Sequence, residues 1–312
     1  MSDRKHHHLL VGSLCALGCE ILYGLSYVFT KQATEIASPL ALLGWRFLIA
    51  IIAMSVGIRV GLVRVSLKGK SIKSLLLIAL FSPCIYFIGE TVGISNTTAS
   101  ESGVILACIP VASLLASTVI LNEKPSKRQI VGIFITLIGV LVTVFSLGTT
   151  SSLNVLGYVF LVASVVSYAL YSVFVEKASD YTGLEITYIM LLLGAVIFIA
   201  LAIMEALVNG RVEELISLPF NQGAFMSAVL YQGIGCSIIA VFLSNVAIAK
   251  IGVNRTSSYI GVSTIVSIVA GSLLLKESFT LYQLIGVIVI ITGVYIANYR
   301  QNNIEHSHGT NH

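Results

Sequence analysis

The sequence predicts an all-α integral membrane protein with ten transmembrane helices, arranged as two inverted five-helix repeats with both termini in the cytoplasm. Three observations predict this fold. The composition is strongly apolar, one motif occurs twice about half a chain length apart, and positive charge is concentrated in alternate loops. Together they indicate a chain that crosses a membrane many times and consists of a duplicated half.

The apolar composition places the protein in a membrane. Hydrophobic residues make up 56% of the 312 residues and charged residues only 10%, whereas a soluble domain carries about 25% charged residues. No charged residue occurs in 129–175 or in 278–299. Because a bilayer core about 30 Å thick requires a helix of about 20 apolar residues, these stretches predict membrane-spanning helices.

Ten apolar segments follow one another along the chain. Their predicted bounds are about 9–31, 39–58, 74–94, 101–121, 127–147, 154–175, 184–207, 223–248, 256–275 and 280–299. The first segment follows MSDRKHHH without an A-x-A cleavage site, so we expect no removable signal peptide. A polar stretch at 148–154 separates the two predicted halves, 1–150 and 151–312.

One motif occurs once in each half. Residues 121–140 read LNEKPSKRQIVGIFITLIGV, and residues 275–294 read LKESFTLYQLIGVIVIITGV. A self-similarity at this distance indicates a duplicated half rather than a small repeat unit. The repeated positions are Glu123, Gly132 and Gly139 in the first copy and Glu277, Gly286 and Gly293 in the second.

The repeated motif has the features of a structural joint. Ser126 with Gln129, and Thr280 with Gln283, form the S/T-x-x-Q pattern of a helix-capping box. The glycines of each copy lie two turns apart on one helix face and permit close helix packing. The glutamates precede helix starts, where the helix dipole favours a carboxylate. We therefore interpret the motif as scaffolding and not as a substrate site.

The positive charges give the orientation. With the N-terminus inside, fourteen of the 18 Lys and Arg residues lie on the inner side. These are Arg4, Lys5, Arg59, Arg64, Lys68, Lys70, Lys73, Lys124, Lys127, Arg128, Lys177, Lys250, Arg255 and Arg300, against Lys31, Arg211 and Lys276 outside and Arg46 within a span. The positive-inside rule therefore predicts cytoplasmic termini. It also places the two copies of the motif on opposite sides, an inversion that transporters use.

Three ionisable side chains lie inside predicted spans. Glu20 is near the middle of the first span, Arg46 is about two turns into the second, and Glu90 is about one turn from the outer end of the third. Ionisable groups within a membrane are costly and mark substrate or ion pathways, and the two glutamates are candidates for proton coupling. The alternatives are that Arg46 snorkels outward or pairs with a glutamate as a packing element, and that Glu90 is solvated.

We expect a central cavity lined by these ionisable groups together with aromatic, hydroxyl and amide side chains. Tyrosine and tryptophan offer stacking and cation–π surface to an organic solute, although each tyrosine also has an alternative interpretation as a packing residue. The candidate substrate-binding residues are Glu20, Tyr23, Tyr27, Trp45, Arg46, Tyr86, Glu90, Tyr168, Tyr171, Gln232, Asn245 and Tyr259.

The sequence offers no catalytic or cofactor-binding pattern. H-E-x-x-H, G-x-S-x-G and a complete Walker A motif do not occur. The five cysteines lie in apolar segments without a C-x-x-C pair, so we expect neither disulfides nor a metal site. We expect no enzyme activity, no cofactor and no nucleic-acid partner. The expected partners are a small-molecule substrate and membrane lipid.

Several motifs resemble the EamA-type branch of the drug/metabolite transporter superfamily. They are the two glutamate–glycine motifs, the run YGLSYVFTKQA at 23–33, the triplet at 45–47 (WRF) and the triplet at 109–111 (IPV). The resemblance covers nearly all ten spans. It implies a ten-helix secondary carrier of amino acids, metabolites or drugs, most often an exporter in the cytoplasmic (inner) membrane of bacteria.

These observations predict a secondary-active transporter that exports small organic solutes by alternating access, as a monomer or a homodimer. An uptake carrier or facilitator of the same solutes is the alternative, because the sequence does not encode direction. From a different class, the alternative is a non-transporting membrane receptor or scaffold, although such proteins usually carry an extramembrane domain.

Overall fold

The computed structural model of the protein describes residues 2–67, 70–96, 105–106, 108–145, 154–274 and 281–298. Every regular element within these ranges is a helix, and they contain no β-strand. The predicted all-α class is therefore confirmed. The arrangement as ten spans in two inverted repeats stays a prediction.

The helices of the predicted first half occupy its apolar segments. They are α1 (Ser2–Ile36), α2 (Pro39–Arg59), α3 (Ile72–Ala79), α4 (Tyr86–Ser95), α5 (Ile109–Ile120) and α6 (Lys127–Phe145). The π-helical segment Leu80–Ile85 joins α3 to α4 across a kink, at which Ser82 is extended (φ −140°, ψ 122°) before Pro83. Because proline removes a backbone donor and clashes with the preceding turn, it interrupts the α-helical ladder at this point.

The second half contains eight further α-helices within the described ranges. They are α7 (Val155–Lys177), α8 (Gly183–Val208), α9 (Val212–Asn221), α10 (Gly223–Leu230), α11 (Val241–Ile251), α12 (Val253–Ser258), α13 (Gly261–Leu274) and α14 (Leu281–Asn298). A second π-helical segment, Tyr231–Ala240, joins α10 to α11. Gly252 separates α11 from α12 with a φ of 80°, a left-handed conformation that favours glycine.

Side-chain caps define where several helices begin. Ser38 accepts a hydrogen bond from the Ala41 N–H, and Pro39 opens α2 at its first position, where proline is tolerated. Thr182 and Glu185 form a reciprocal capping box at the start of α8. Ser126 and Gln129 exchange backbone-to-side-chain hydrogen bonds of 2.8 and 3.2 Å, which confirms the capping box predicted before α6.

Seven helical segments in the described part of the chain are long and apolar enough to cross a membrane. They are His7–Ile36, Pro39–Arg59, Ile72–Gly93, Val155–Lys177, Gly183–Val208, Gly223–Ile251 and Leu281–Asn298. α5 is apolar but shorter, and most of the part of the predicted span 101–121 that precedes α5, namely 101–104 and 107, lies outside the described residues.

Two elements differ from the prediction. The first helix begins at Ser2 and continues to Ile36, beyond the predicted 9–31 at both ends. The short helix α9 was not predicted, because its sequence VEELISLPFN is too short and too polar to resemble a span. Of the apolar residues of α9, Leu218 is buried against the bundle, and Phe220 is 76% exposed.

Helices of the two predicted halves pack mainly against each other. α2 lies along α8, α4 lies along α7, and α6 lies along α14. α1 packs between α11 and α13, and α5 packs against α7 and α12. The central contacts of the bundle therefore join the first half to the second.

The glycines of the repeated motif lie where α6 meets α14. A Cβ atom on Gly132 would come within 2.4 Å of the Ala297 backbone nitrogen. One on Gly139 would come within 2.7 Å of the Ile290 nitrogen, and one on Gly293 within 2.5 Å of the Thr136 nitrogen. The absence of side chains thus allows the two backbones to approach closely. Glu277 and Thr280 lie outside the described residues.

We expect Gly139→Leu to lower the free energy of unfolding by about 1–3 kcal/mol, because the side chain must push apart two backbones. Gly223→Leu is the matched control, since a Cβ atom there would meet nothing within 4 Å. Its effect should stay within about 0.5 kcal/mol. Thermal unfolding of both variants in detergent measures the difference, and equal midpoints would contradict the close packing of α6 on α14.

Candidate functional site

Two of the predicted ionisable residues are buried inside the helical bundle. Glu20 on α1 is 4% exposed and Arg46 on α2 is 6% exposed. The Glu20 carboxyl group interacts with the Ser263 hydroxyl of α13. Because a charged or polar group without water requires partners inside the protein, these positions require polar neighbours from other helices.

Arg46 obtains its hydrogen bonds from the second half. Its Nε donates to the Ser237 hydroxyl at 2.7 Å, and its Nη1 donates to Gln232 Oε1 at 3.2 Å. Its guanidinium carbon lies 4.4 Å from the centre of the Phe87 ring, a cation–π distance. Within the described ranges, no ion pair joins Arg46 to Glu20 or Glu90. The alternative in which Arg46 pairs with a glutamate is therefore not observed.

A row of tyrosines connects Glu90 to the centre of the bundle. Tyr86 donates a hydrogen bond of 2.9 Å to Glu90 Oε1. The Tyr86 ring centre lies 5.6 Å from that of Tyr168, which lies 5.6 Å from that of Tyr171. Such tilted and edge-to-face contacts are the geometry that aromatic pairs prefer. Glu90 is half-buried and accepts this hydrogen bond from Tyr86, so its carboxylate is not fully solvated.

Tyr171 ends this row in a buried amide network. Its hydroxyl donates a 2.6 Å hydrogen bond to Asn245 Oδ1, and Asn245 Nδ2 donates to the Thr187 hydroxyl at 3.0 Å. Asn245 and Thr187 are completely buried. The network joins α7, α8 and α11 through one side chain of each helix, and these hydrogen bonds hold the three helices together.

The predicted residues of α1 lie beside this network. Tyr23 is within electrostatic range of Arg46 and Tyr171, and Tyr168 is within electrostatic range of Glu20. Gln232 Nε2 donates to the Thr30 hydroxyl at 2.9 Å and so ties α1 to the second π-helical segment. We call these neighbouring polar residues the polar belt: Glu20, Tyr23, Arg46, Tyr86, Glu90, Tyr168, Tyr171, Gln232 and Asn245.

Three candidate residues are not part of the polar belt as described. The Trp45 indole N–H donates to the Leu215 carbonyl of α9 at 2.9 Å. Tyr259 packs in a separate hydrophobic cluster with Ala16 and Ala247. Tyr27 lies on α1, and its side chain is outside the described part of the structure.

Further polar contacts join the halves at the two ends of the bundle. At the end that carries most of the lysines and arginines, Lys70 Nζ lies 3.0 and 2.7 Å from the two carboxylate oxygens of Glu185. At the opposite end, the Ser38 hydroxyl donates to the Glu205 carboxylate. Each contact joins a residue of the first half to one of α8.

Glu123 belongs to a second polar cluster at the lysine-rich end. Its carboxylate accepts a 3.2 Å hydrogen bond from Asn254 Nδ2, and Ser117 donates to Asn254 Oδ1 at 2.8 Å. Glu176 lies beside Glu123 and accepts a 2.6 Å hydrogen bond from the Val253 N–H. A cavity of about 360 Å³ opens here, lined by Glu123, Lys124, Gln129, Ile251, Gly252, Asn254 and Arg255.

Sequence reasoning did not find several partners of the candidate residues. Thr187 and Phe87 carry no charge, and single threonines and phenylalanines are ordinary within an apolar span. Glu176 stands next to Lys177 at the end of a span, where a charged residue is ordinary. Only the packing of α7 against α12 and the loop before α6 brings Glu176 to Glu123.

We expect Asn245→Leu to lower the free energy of unfolding by about 1–3 kcal/mol, because the buried Tyr171 hydroxyl loses its acceptor. Asn209→Leu is the control, since Asn209 is exposed at the end of α8. Adding Tyr171→Phe to Asn245→Leu should recover part of the loss, because both partners are then removed. Thermal unfolding of the wild type, Asn245→Leu, Tyr171→Phe and the double variant measures this coupling, with Asn209→Leu as a fifth protein, and strictly additive effects would argue against the network.

Sequence relatives carry transporter names. The Bacillus subtilis protein "Uncharacterized transporter YcxC" is 32% identical over 294 residues, which are 94% of this chain and 94% of that protein. An Archaeoglobus fulgidus protein named "Uncharacterized transporter" is 24% identical over 275 residues, covering 88% of this chain and 94% of its own length. A solved crystal structure with 17% sequence identity has the same fold, with a TM-score of 0.73 over 92% of this chain and 98% of that one.

The family comparison covers most of the chain. The EamA-like transporter family matches residues 10–145 and 155–299. The apolar helices of this chain make it a multi-pass membrane protein. Its family and its relatives are named as transporters, which are not enzymes. The chain therefore belongs to the EamA-like transporter family.

Proposed function

We propose that this transporter exports small organic solutes by alternating access, and that the polar belt binds the solute. The observation that carries the proposal is the burial of Glu20, Arg46 and Asn245, which are 4%, 6% and 0% exposed in the bundle of a transporter. Polar groups are costly at such positions and are retained where they serve a pathway. The export direction rests on the family resemblance of the sequence motifs.

The proposed architecture is a pair of inverted five-helix halves, 1–150 and 151–312, with cytoplasmic termini. The packing supports it, because α1 lies between α11 and α13 of the second half while α7 lies against α4 and α5 of the first. The two π-helical segments also occur in corresponding third spans of the two halves. Such pairs of interrupted helices surround the substrate sites of inverted-repeat transporters.

The contacts at the two ends supply the groups that alternating access must separate. Lys70–Glu185 joins the halves at the lysine-rich end, and Ser38–Glu205 joins them at the other. Opening toward either side requires one of these contacts to break while the polar belt stays in place. The Lys70 side chain is about one-third exposed, so water can solvate its ammonium group when the ion pair breaks.

We further propose that Glu20 couples export to protons. It is the most deeply buried carboxylate of the polar belt, and its described neighbours include a hydroxyl and no cation within ion-pair distance. A carboxyl group in such surroundings is poised to exchange a proton when the bundle opens. Glu90, which is half-buried and bonded to Tyr86, is the second candidate.

We expect Glu20→Gln to abolish the pH-gradient dependence of efflux from proteoliposomes. The probes are radiolabelled amino acids and ethidium, with efflux rates compared at equal pH and with a proton gradient across the membrane. Wild-type protein should accelerate the efflux of at least one probe when the gradient is present. Glu213→Gln on the exposed face of α9 is the matched control and should behave like the wild type.

The variants separate the parts of this proposal. Gradient dependence that persists in Glu20→Gln but disappears in Glu90→Gln assigns the coupling to Glu90 instead. Movement of probes only into vesicles in which the lysine-rich end faces the lumen would support uptake over export. If no probe moves under any gradient and none alters thermal unfolding, the receptor or scaffold alternative is favoured.

A further inference from the structure

Arg46 has one hydrogen-bonding group that no side chain or backbone group of the described residues satisfies. Its Nε and Nη1 are bound to Ser237 and Gln232, but its buried Nη2 has no hydrogen-bond partner among the residues that the structure describes. The side chain as a whole is 6% exposed. Since buried polar groups are almost always hydrogen-bonded, an unpartnered donor on a buried guanidinium requires an explanation.

The guanidinium of Arg46 also makes no ion-pair contact with a described residue. Arginine remains protonated in proteins, and no carboxylate of the described residues lies within ion-pair distance of its guanidinium. The contacts that it does make are to neutral groups, namely a hydroxyl, an amide oxygen and the Phe87 ring. A buried cation is strongly stabilised by a paired anion. The missing partner is therefore an acceptor with negative charge.

We infer that the transported solute carries a carboxylate and that Arg46 Nη2 binds it in the polar belt. This inference rests on the proposed function, because it assigns the substrate class of the same site. Nε and Nη1 hold the guanidinium in a fixed orientation, so that the Nη2 edge is left to donate to the solute. Charge-assisted hydrogen bonds of this kind are shorter and stronger than neutral ones.

A monoanion fits these surroundings better than a phosphate. A single guanidinium balances one negative charge, whereas a phosphate dianion would leave a second charge in an apolar bundle. Glu90 is within electrostatic range of Arg46, so a second negative charge on the solute would be repelled. A solute with one carboxylate satisfies Arg46 without this penalty.

The neighbouring rings indicate what the rest of the solute is. The Phe87 ring centre lies 5.1 Å from that of Tyr86, which continues through Tyr168 to Tyr171. This row of aromatic rings runs from the Arg46 guanidinium along the polar belt. Aromatic side chains provide a large apolar surface with specific geometry. The solute is therefore a carboxylate with an apolar or aromatic body.

The test uses the purified full-length chain in detergent and pairs of probes that differ only in charge. The pairs are phenylacetate with phenylacetamide, indole-3-acetate with indole-3-acetamide, and hexanoate with hexanamide. Dissociation constants come from the shift in thermal unfolding with probe concentration. We expect at least one carboxylate to bind about tenfold or more tightly than its amide, because only the carboxylate satisfies Arg46.

Variants of Arg46 test whether this residue causes the preference for the carboxylate over the amide. Arg46→Gln should remove the preference for the carboxylate, and Arg46→Lys should retain part of it because the charge remains. Arg211→Gln, which changes an exposed arginine, is the control and should leave the preference unchanged. Elution of each variant as a single symmetrical peak in size exclusion, with the unfolding midpoint retained, checks that it is folded.

Several outcomes overturn the inference. One is the absence of a carboxylate preference in every pair with wild-type protein, a result that requires no variant. Another is a preference that persists in folded Arg46→Gln. Counterflow of the same probes and of ethidium in proteoliposomes separates this inference from the proposed function. If ethidium or an amide moves and no carboxylate does, only the inference fails; if nothing moves, the proposed function fails as well.

Discussion

The structure depends on one constraint: a helix inside a bilayer has no water with which to satisfy its polar side chains. In this protein the partners come mostly from the opposite half of the chain. Arg46 of the first half donates to Ser237 and Gln232 of the second, and Gln232 donates in turn to Thr30 of the first. Each buried polar residue therefore fixes the position of a helix as well as its own side chain. The same contacts that hold the bundle together assemble its candidate site.

The helices were predictable from the sequence because hydropathy alone sets them. Long apolar stretches can only be helices in a bilayer, and local signals such as Ser126–Gln129 mark where one begins. The departures have local causes that hydropathy does not encode. Pro83 and the glycines of the second π-helical segment alter backbone hydrogen bonding within an apolar run. α9 owes its helix to a short amphipathic pattern that packs against the bundle.

The ionisable residues of the candidate site could be predicted from the sequence, but the residues that contact them could not. Glu20 and Arg46 are conspicuous because charge is rare in an apolar segment, and both are buried as expected. Their neighbours depend on helix rotation and on which helices meet, and neither can be read from one sequence. Glu123 illustrates the limit, since its motif indicated a helix joint while the fold also brings it to Asn254 and a cavity. Binding roles for these residues stay predictions.

The hydrogen bond from Trp45 to α9 has a practical consequence. Trp45 is the one tryptophan in the sequence, and its indole N–H reaches from the first half to the Leu215 carbonyl of the second. Indole emission depends on the polarity around the ring, and separation of α2 from α9 would replace that carbonyl with water. The fluorescence of Trp45 is thus an intrinsic reporter for the separation of α2 from α9. It requires no label.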